Sequence, residues 1–183
     1  QEEVTSLIRK QYDVPLVIKP NSQGSTIGLT VLEDMTTLEK AVEKAFEFDD
    51  RVLAEEFIPG REITAAVLNG ETLPLVEIKP KHGVFDYESK YSKGLTEYET
   101  PAEMDPMLTE QIQMHAFRLY ESLDAQGYSR VDFRVDESGN PHCLEMNTLP
   151  GMTETSLVPM AARAHDIEFG ELLERIIAYG RGA

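Results

Sequence analysis

The stretch GYSRVDFRVDESGNPHCLEMN, residues 127–147, constrains the fold more than any other part of the chain. Two alternating runs flank the turn-forming Ser-Gly-Asn, the pattern of an antiparallel hairpin. Residues two apart share a face of a strand, and directly opposed residues on paired strands share that face too. With Ser138 and Gly139 as the central turn residues, Glu137 opposes Asn140, Asp132 opposes Glu145 and Arg130 opposes Asn147. Arg130, Asp132, Glu145 and Asn147 then converge on one patch, and Val131, Phe133, Leu144 and Met146 point the other way, into a core. A three-residue turn would shift this register, so the expected patch depends on the turn.

Two opposed carboxylates repel unless positive charge lies between them. Arg130 supplies part of that charge, and a divalent cation would supply more. Two carboxylates and an amide oxygen are hard donors, which favour Mg²⁺ or Mn²⁺ over zinc. The competing reading is a solvent-facing strand side with alternating charges. The Pro150-Gly151 turn close behind Asn147 weighs towards a site.

The rest of the chain mixes helical and strand patterns. Residues 2–11 read as a helix, PLVIKP and LTVL as strands around the loop NSQGSTIG, and RVLAEEFI as another strand. Thr36 and Glu39 have capping-box spacing before the helical AVEKAFEF. Residues 59–80 read as two strands around Asn69-Gly70, and 82–100 as a polar surface loop with Tyr87, Tyr91 and Tyr98. A helix is expected over 105–126 from Met107, Ile112, Phe117, Leu119 and Leu123, and two helices follow the hairpin. The class is α+β, with a hinge near Pro59-Gly60 dividing 1–58 from 59–183.

A chain of 183 residues with 33 acidic and 17 basic residues, net −16, repels nucleic acid and anionic membrane surfaces. An anionic ligand would need a local basic cluster or metal ions. Apolar runs are too short to span a membrane, and the N-terminus has no apolar signal region. The lone Cys143 permits no internal disulfide, which fits a reducing cytoplasm. Lys19 ends an apolar run, and Gly24, Ser25, Thr26 and Gly28 can bring backbone N–H groups close to phosphates, although neither the Walker nor the dinucleotide glycine pattern is present. A hairpin loop with a surface lysine fits the same residues. Glu55, Glu56 and Glu62, near Arg61, can accept hydrogen bonds from a ribose or an adenine amino group, or simply form an acidic edge.

Taken together, VIKPNSQGSTIG, EEFIPGREIT, LPLVEIKP, FDYESKYS, GYSRVDF, LEMNTLPGMT and SLVPMAA resemble the ATP-grasp ligases, most closely the D-alanine–D-alanine ligase family, in that family's order. The resemblance implies two lobes of sheet and packed helix that hold ATP between them. It gives Lys19, Gly24, Ser25, Thr26 and Lys90 to the phosphates, with Ser25 also orienting substrate. Glu55, Phe57 and Ile58 fall at the adenine position and Glu62 at the ribose position. Lys90 and Tyr91 resemble a closing loop, with Tyr91 counted among the catalytic residues. Asp132, Glu145 and Asn147 resemble the ligands of two Mg²⁺ (or Mn²⁺) ions. Arg130 and the Gly151 N–H resemble oxyanion stabilisers, and Ser156 and Leu157 resemble contacts to the second D-alanine.

The implied activity joins two D-alanines through an acyl phosphate, at the expense of ATP, for peptidoglycan precursors in the cytoplasm. The implied partners are small molecules only, with no nucleic acid and no membrane. The family has an N-terminal domain before this region that completes the first D-alanine site, so a truncated chain, weak in Mg-ATP binding, is expected. Other expectations compatible with the residues are a different ATP-grasp carboxylate–amine ligase, a D-alanyl-D-lactate ligase, or a non-catalytic nucleotide-binding module.

Overall fold

The computed structural model describes residues 2–80 and 96–180. They fall into two compact units, one of residues 2–58, the other of residues 59–79 with 97–180.

In the first unit, helix α1 (Glu2–Gln11) is followed by strands β1 (Leu16–Pro20) and β2 (Thr30–Leu32), helix α2 (Leu38–Phe46) and strand β3 (Val52–Glu56). The strands form an antiparallel sheet in the order β2-β1-β3. Alternation along β1 decides its faces. Leu16 and Ile18 are fully buried with Ile8 of α1 and Leu38, Ala41, Val42 and Ala45 of α2. Each such large apolar side chain contributes about 1.5–3 kcal/mol by leaving water. Val17 and Lys19 take the opposite face. Acidic residues begin α1 and basic residues end it, which suits the helix dipole. The expected capping box does not form. Asp34 accepts from the Thr36 N–H at 2.8 Å and caps a short 3₁₀ turn, Met35–Thr37, that precedes α2. Aspartate outcompetes threonine there because its carboxylate also accepts from the Thr36 hydroxyl.

The second unit holds β4 (Arg61–Leu68), β5 (Glu71–Thr72), β6 (Val76–Pro80), β7 (Thr96–Glu99), helix α3 (Pro106–Ser122), β8 (Tyr128–Val135), β9 (Pro141–Asn147), and helices α4 (Leu157–Arg163) and α5 (Phe169–Gly180). Its sheet runs β7-β6-β4-β8-β9, with β5 also paired to β4. The Asn69-Gly70 turn forms with both residues at positive φ, as a tight hairpin requires. Its second arm, expected as one strand, breaks after Thr72 and resumes at Val76 with the register moved by one residue; Pro74, which lacks an N–H, lies in the break. The expected loop over 82–100 ends in strand β7, which carries Tyr98, whereas Tyr87, Lys90 and Tyr91 lie outside the described residues.

Helix α3 starts where Asp105 accepts from the N–H groups of Met107 and Leu108 and Pro106 takes the first turn. Its buried stripe is Ile112, Ala116 and Tyr120; of the expected residues Ile112 is buried and Leu119 packs half-buried against the same core. Met107 is 81% exposed and Leu123 60%. A spacing of four places small Ala116 centrally, where the helix meets the sheet. Helix α3 covers Ile63, Ala65, Val67, Val131, Phe133 and Val135 on one face of the sheet. On the other face Ala66 and Leu68, with Tyr128, pack with Val158, Ala161, Ala162 and Leu172 of α4 and α5. Farther along that second face the strand positions are Glu62, Asp132, Arg134 and Glu145, and none joins either core cluster. No helix among the described residues is long and apolar enough to cross a membrane.

Candidate functional site

The β8–β9 hairpin builds the patch by a route different from the one expected. Its turn is not the two-residue form. The Asp136 N–H donates to the Asn140 carbonyl, the Gly139 N–H donates to the Asp136 carbonyl, and Gly139 has φ +85°. This turn sets Phe133 opposite Cys143, one residue off the expected register. A β-bulge then leaves Leu144 unpaired and restores Asp132 opposite Glu145 and Arg130 opposite Asn147. Leu144 is accordingly 44% exposed instead of buried, and Cys143 is exposed as well. Partial loss of solvent around the sulfur, although the residue is exposed, together with the charges of Asp132 and Glu145, pushes the Cys143 thiol above its ordinary pKa.

Four polar side chains meet on this patch. The Arg130 guanidinium donates twice to Asp132, at 2.8 and 2.7 Å, and the Asn147 amide nitrogen donates to Asp132 and to Glu145 at 3.1 Å each. Burial alone would lower the Arg130 pKa, but the bonds and charge of Asp132, with Glu145 and Glu62, outweigh it and raise it. No group of three or more His, Cys, Asp and Glu side chains arranged for a metal exists among the described residues. The donor set here is two carboxylates and an amide. Because one amide end touches both carboxylates, turning it brings its oxygen to the point they share. These three hard oxygens fit Mg²⁺ or Mn²⁺.

Arg134 lies next on the same face and was not anticipated, although the alternation that placed Asp132 there also reaches it. It stands 3.6 Å from Glu62 and donates to the Gly60 carbonyl at 2.9 Å. Burial, then the Glu62 charge, raises the pKa of Tyr98. Arg61 is committed elsewhere, to a two-bond pair with Glu77 and to the Glu103 carbonyl. Burial would raise the Glu77 pKa, but Arg61 and Lys79 hold it low.

The turn supporting the patch carries its own pH dependence. The His142 ring, the Asn140 N–H and side-chain amide, and the Ser138 N–H all contact Asp136 and hold its carboxyl below the ordinary carboxylate range. A depressed folded pKa contributes stability above the unfolded value that disappears as pH falls. Asp136→Asn is therefore expected to lower the melting temperature near neutral pH and to flatten its fall below about pH 4, as followed by circular dichroism. A parallel fall in variant and parent would refute it.

After the hairpin, a loop leads to α4. Gly151 lies against Ser156, so that a Cβ at 151 would stand 3.1 Å from the Ser156 Oγ. The Thr153 N–H donates to that oxygen at 3.0 Å, and Ser156 sits at the start of α4 with Leu157 as the first helical residue.

In the first unit, the Lys19 ammonium meets Glu55 at 2.6 Å, both on the face away from the core. Lys19 was expected to face a phosphate and Glu55 an adenine, and here they pair with each other. Ser25 and Thr26 both have φ near +55° to +60°. Gly24 precedes them, and its carbonyl accepts from the Ile27 N–H. The Phe57 N–H donates to the Pro15 carbonyl, and Ile58 is half-buried beside it.

The α+β architecture of antiparallel sheets backed by helices is that of the ATP-grasp ligases, and solved members match it. Within that class, the chain belongs to the family described as D-ala D-ala ligase C-terminus, whose model matches residues 1–178. D-alanine–D-alanine ligase of Syntrophotalea carbinolica is 49% identical over 166 residues, which cover 91% of this chain and 54% of that protein. D-alanine–D-alanine ligase from Bacillus anthracis, solved in complex with ATP, has a TM-score of 0.77 at 34% identity over 94% of this chain and 54% of its own. VanG D-Ala:D-Ser ligase from Enterococcus faecalis has a TM-score of 0.84 at 34% identity, over 97% of this chain and 53% of its own. The chain thus spans about half the length of the curated relatives it matches.

Proposed function

We propose that this chain carries the nucleotide, cation and acceptor residues of a ligase that joins two D-alanines, using ATP, for peptidoglycan precursors. The observation that carries the reading is the meeting of Arg130, Asp132, Glu145 and Asn147 on one sheet face, in a chain of this family. Residues 1–58 act as the central lobe and 59–183 as the C-terminal lobe. Lys19, Gly24, Ser25, Thr26 and Lys90 bind the phosphates of ATP. Glu55, Phe57, Ile58 and Glu62 bind its nucleoside, and Tyr91 closes over the substrate. Asp132, Glu145 and Asn147 hold Mg²⁺ or Mn²⁺, which when bound neutralises charge on the phosphates.

The carboxylate of one D-alanine attacks the γ-phosphate, giving an acyl phosphate and ADP. The amine of the second attacks that carbonyl. Arg130 and the Gly151 N–H stabilise the resulting oxyanion, a role worth about 3–4 kcal/mol per donor in comparable sites. Phosphate leaves and the dipeptide remains. Ser156 and Leu157 hold the acceptor. The relatives' additional length is where we place the remainder of the first D-alanine site, and our reading has the reaction in the cytoplasm, where ATP is supplied.

Titration calorimetry of the folded chain with ATP, with and without Mg²⁺, tests this directly. Cation-dependent heat is expected, and its absence would favour a non-catalytic module. The likeness to VanG D-Ala:D-Ser ligase motivates a second reading, with another acceptor. Competing D-alanine, D-serine and D-lactate in a product assay with the full-length gene product separates the two.

A further inference from the structure

We infer that Thr153 is a positioning residue that makes the Ser156 hydroxyl an obligate hydrogen-bond donor toward the carboxylate of the acceptor amino acid. The inference rests on the proposed role of Ser156 at the acceptor.

Thr153 and Ser156 are bonded to each other three times. The Thr153 N–H donates to Ser156 Oγ at 3.0 Å, the Ser156 N–H donates to the Thr153 carbonyl at 2.8 Å, and the two hydroxyl oxygens lie 2.9 Å apart. Thr155 Oγ1 stands 3.3 Å from Thr153 Oγ1, so that the Thr153 hydroxyl has the Thr155 and Ser156 hydroxyls as its neighbours.

A serine hydroxyl has one proton and two acceptor lone pairs. The Thr153 N–H fills one lone pair. If the Thr153 hydroxyl fills the second, the Ser156 proton has no acceptor within this cluster and is directed outward. The Thr153 hydroxyl can give its proton to Ser156 because Thr155 can donate to it in turn. The relay therefore runs from Thr155 to Thr153 to Ser156 and ends in a proton presented to a ligand. A donor with both lone pairs occupied suits an anionic oxygen. The side of Ser156 next to Gly151 is kept close by the missing Cβ there, since any side-chain carbon at 151 would stand 3.1 Å from the same oxygen.

The test uses the full-length gene product and steady-state kinetics with D-alanine varied at saturating ATP. Thr153→Val keeps the N–H and the shape and removes the hydroxyl. It is expected to raise the KM of the acceptor position about fivefold to tenfold, the loss typical of one hydrogen bond between neutral groups, with kcat and the KM of ATP within about twofold. Thr153→Ser, which keeps the hydroxyl, is expected to restore the parent value. In a Ser156→Ala background the Thr153→Val change is expected to add nothing, because its effect passes through Ser156. An unchanged acceptor KM in Thr153→Val, a Thr153→Ser variant as impaired as Thr153→Val, or additive losses in the double variant would each overturn the inference. Should Thr153→Val fold poorly by circular dichroism, Thr153→Ser and Thr155→Val decide it: parent-like kinetics in the first with a raised acceptor KM in the second supports the relay, and any other pairing overturns it. A parent protein that forms no dipeptide from D-alanine would instead refute the proposed function itself.

Discussion

Asp132→Asn is expected to abolish cation-dependent nucleotide binding and also to cost the second unit about 2–3 kcal/mol, whereas Glu145→Gln abolishes the same binding at almost no cost in stability. The two carboxylates are opposed on neighbouring strands, but their surroundings differ. Asp132 has a side chain only 14% exposed and receives two bonds from Arg130, itself 19% exposed, and one from Asn147. An amide there would set an N–H₂ against the guanidinium and leave a half-buried cation without its main partner. Breaking a fully buried pair costs about 3–5 kcal/mol, and the partial exposure here reduces that figure. Glu145 is exposed and receives one bond from Asn147. Its neutralisation relieves repulsion with Asp132, so the expected change in stability is within about 0.5 kcal/mol. Nucleotide affinity in the presence of Mg²⁺ should fall at least about a hundredfold in both, since even the partners of metal ligands affect metal affinity by 10–100-fold. Urea unfolding without cation and calorimetry with it separate the two effects. Equal losses of stability would contradict the unequal pairing of the two carboxylates, and ATP affinity unchanged in either variant would contradict a shared cation.

Among the described residues, Gly60→Ala is expected to be the most destabilising single substitution at a glycine, costing about 3 kcal/mol or more. Gly60 has φ +128°, a region that L residues rarely enter, and an added Cβ would lie 2.0 Å from the Val135 carbonyl oxygen. The backbone strain alone costs about 1–3 kcal/mol, and the clash is with main chain at the end of β8, which cannot rotate away. Moving it would also disturb the bond from Arg134 to the Gly60 carbonyl, beside Glu62. Gly70→Ala is the control. Gly70 also has positive φ, but nothing stands within 4 Å of its added Cβ, so only about 1–2 kcal/mol is expected. Similar losses in thermal melts of the two variants would show that backbone sign, not the approach to Val135, sets the cost at Gly60.

The hairpin shows where sequence reasoning succeeds and how it succeeds here for an incomplete reason. Alternation correctly sorts Arg130, Asp132, Glu145 and Asn147 onto one face. The assumed two-residue turn is wrong by one residue, and the bulge at Leu144 corrects it by one residue. Neither was legible. A bulge has no strong residue signature, and the turn type depends on whether Gly139 takes positive φ. Leu144 was assigned to the core because alternation puts it on the face opposite Glu145, and the bulge takes it out of that alternation. In α3, Met107 and Leu123 look like core residues by type, but helix packing selects the stripe that meets the sheet, and that stripe is Ile112, Ala116 and Tyr120. Arg134 was legible from the same alternation, and Thr153 was not, because its place depends on three bonds to the residue that caps the following helix.

By itself the amino-acid order determined the elements, the class and which residue types stand near one another along the chain. Periodicity and turn chemistry act over a few residues, so they survive without knowledge of the fold. Only the tertiary structure decided that α4 and α5 cover Ala66, Leu68 and Tyr128 yet leave Glu62, Asp132, Arg134 and Glu145 outside both cores. It also decided that Arg130 pairs with Asp132 and Lys19 with Glu55. Which charges become partners depends on strand register and on what packs above the sheet, and both are set by contacts distant in sequence.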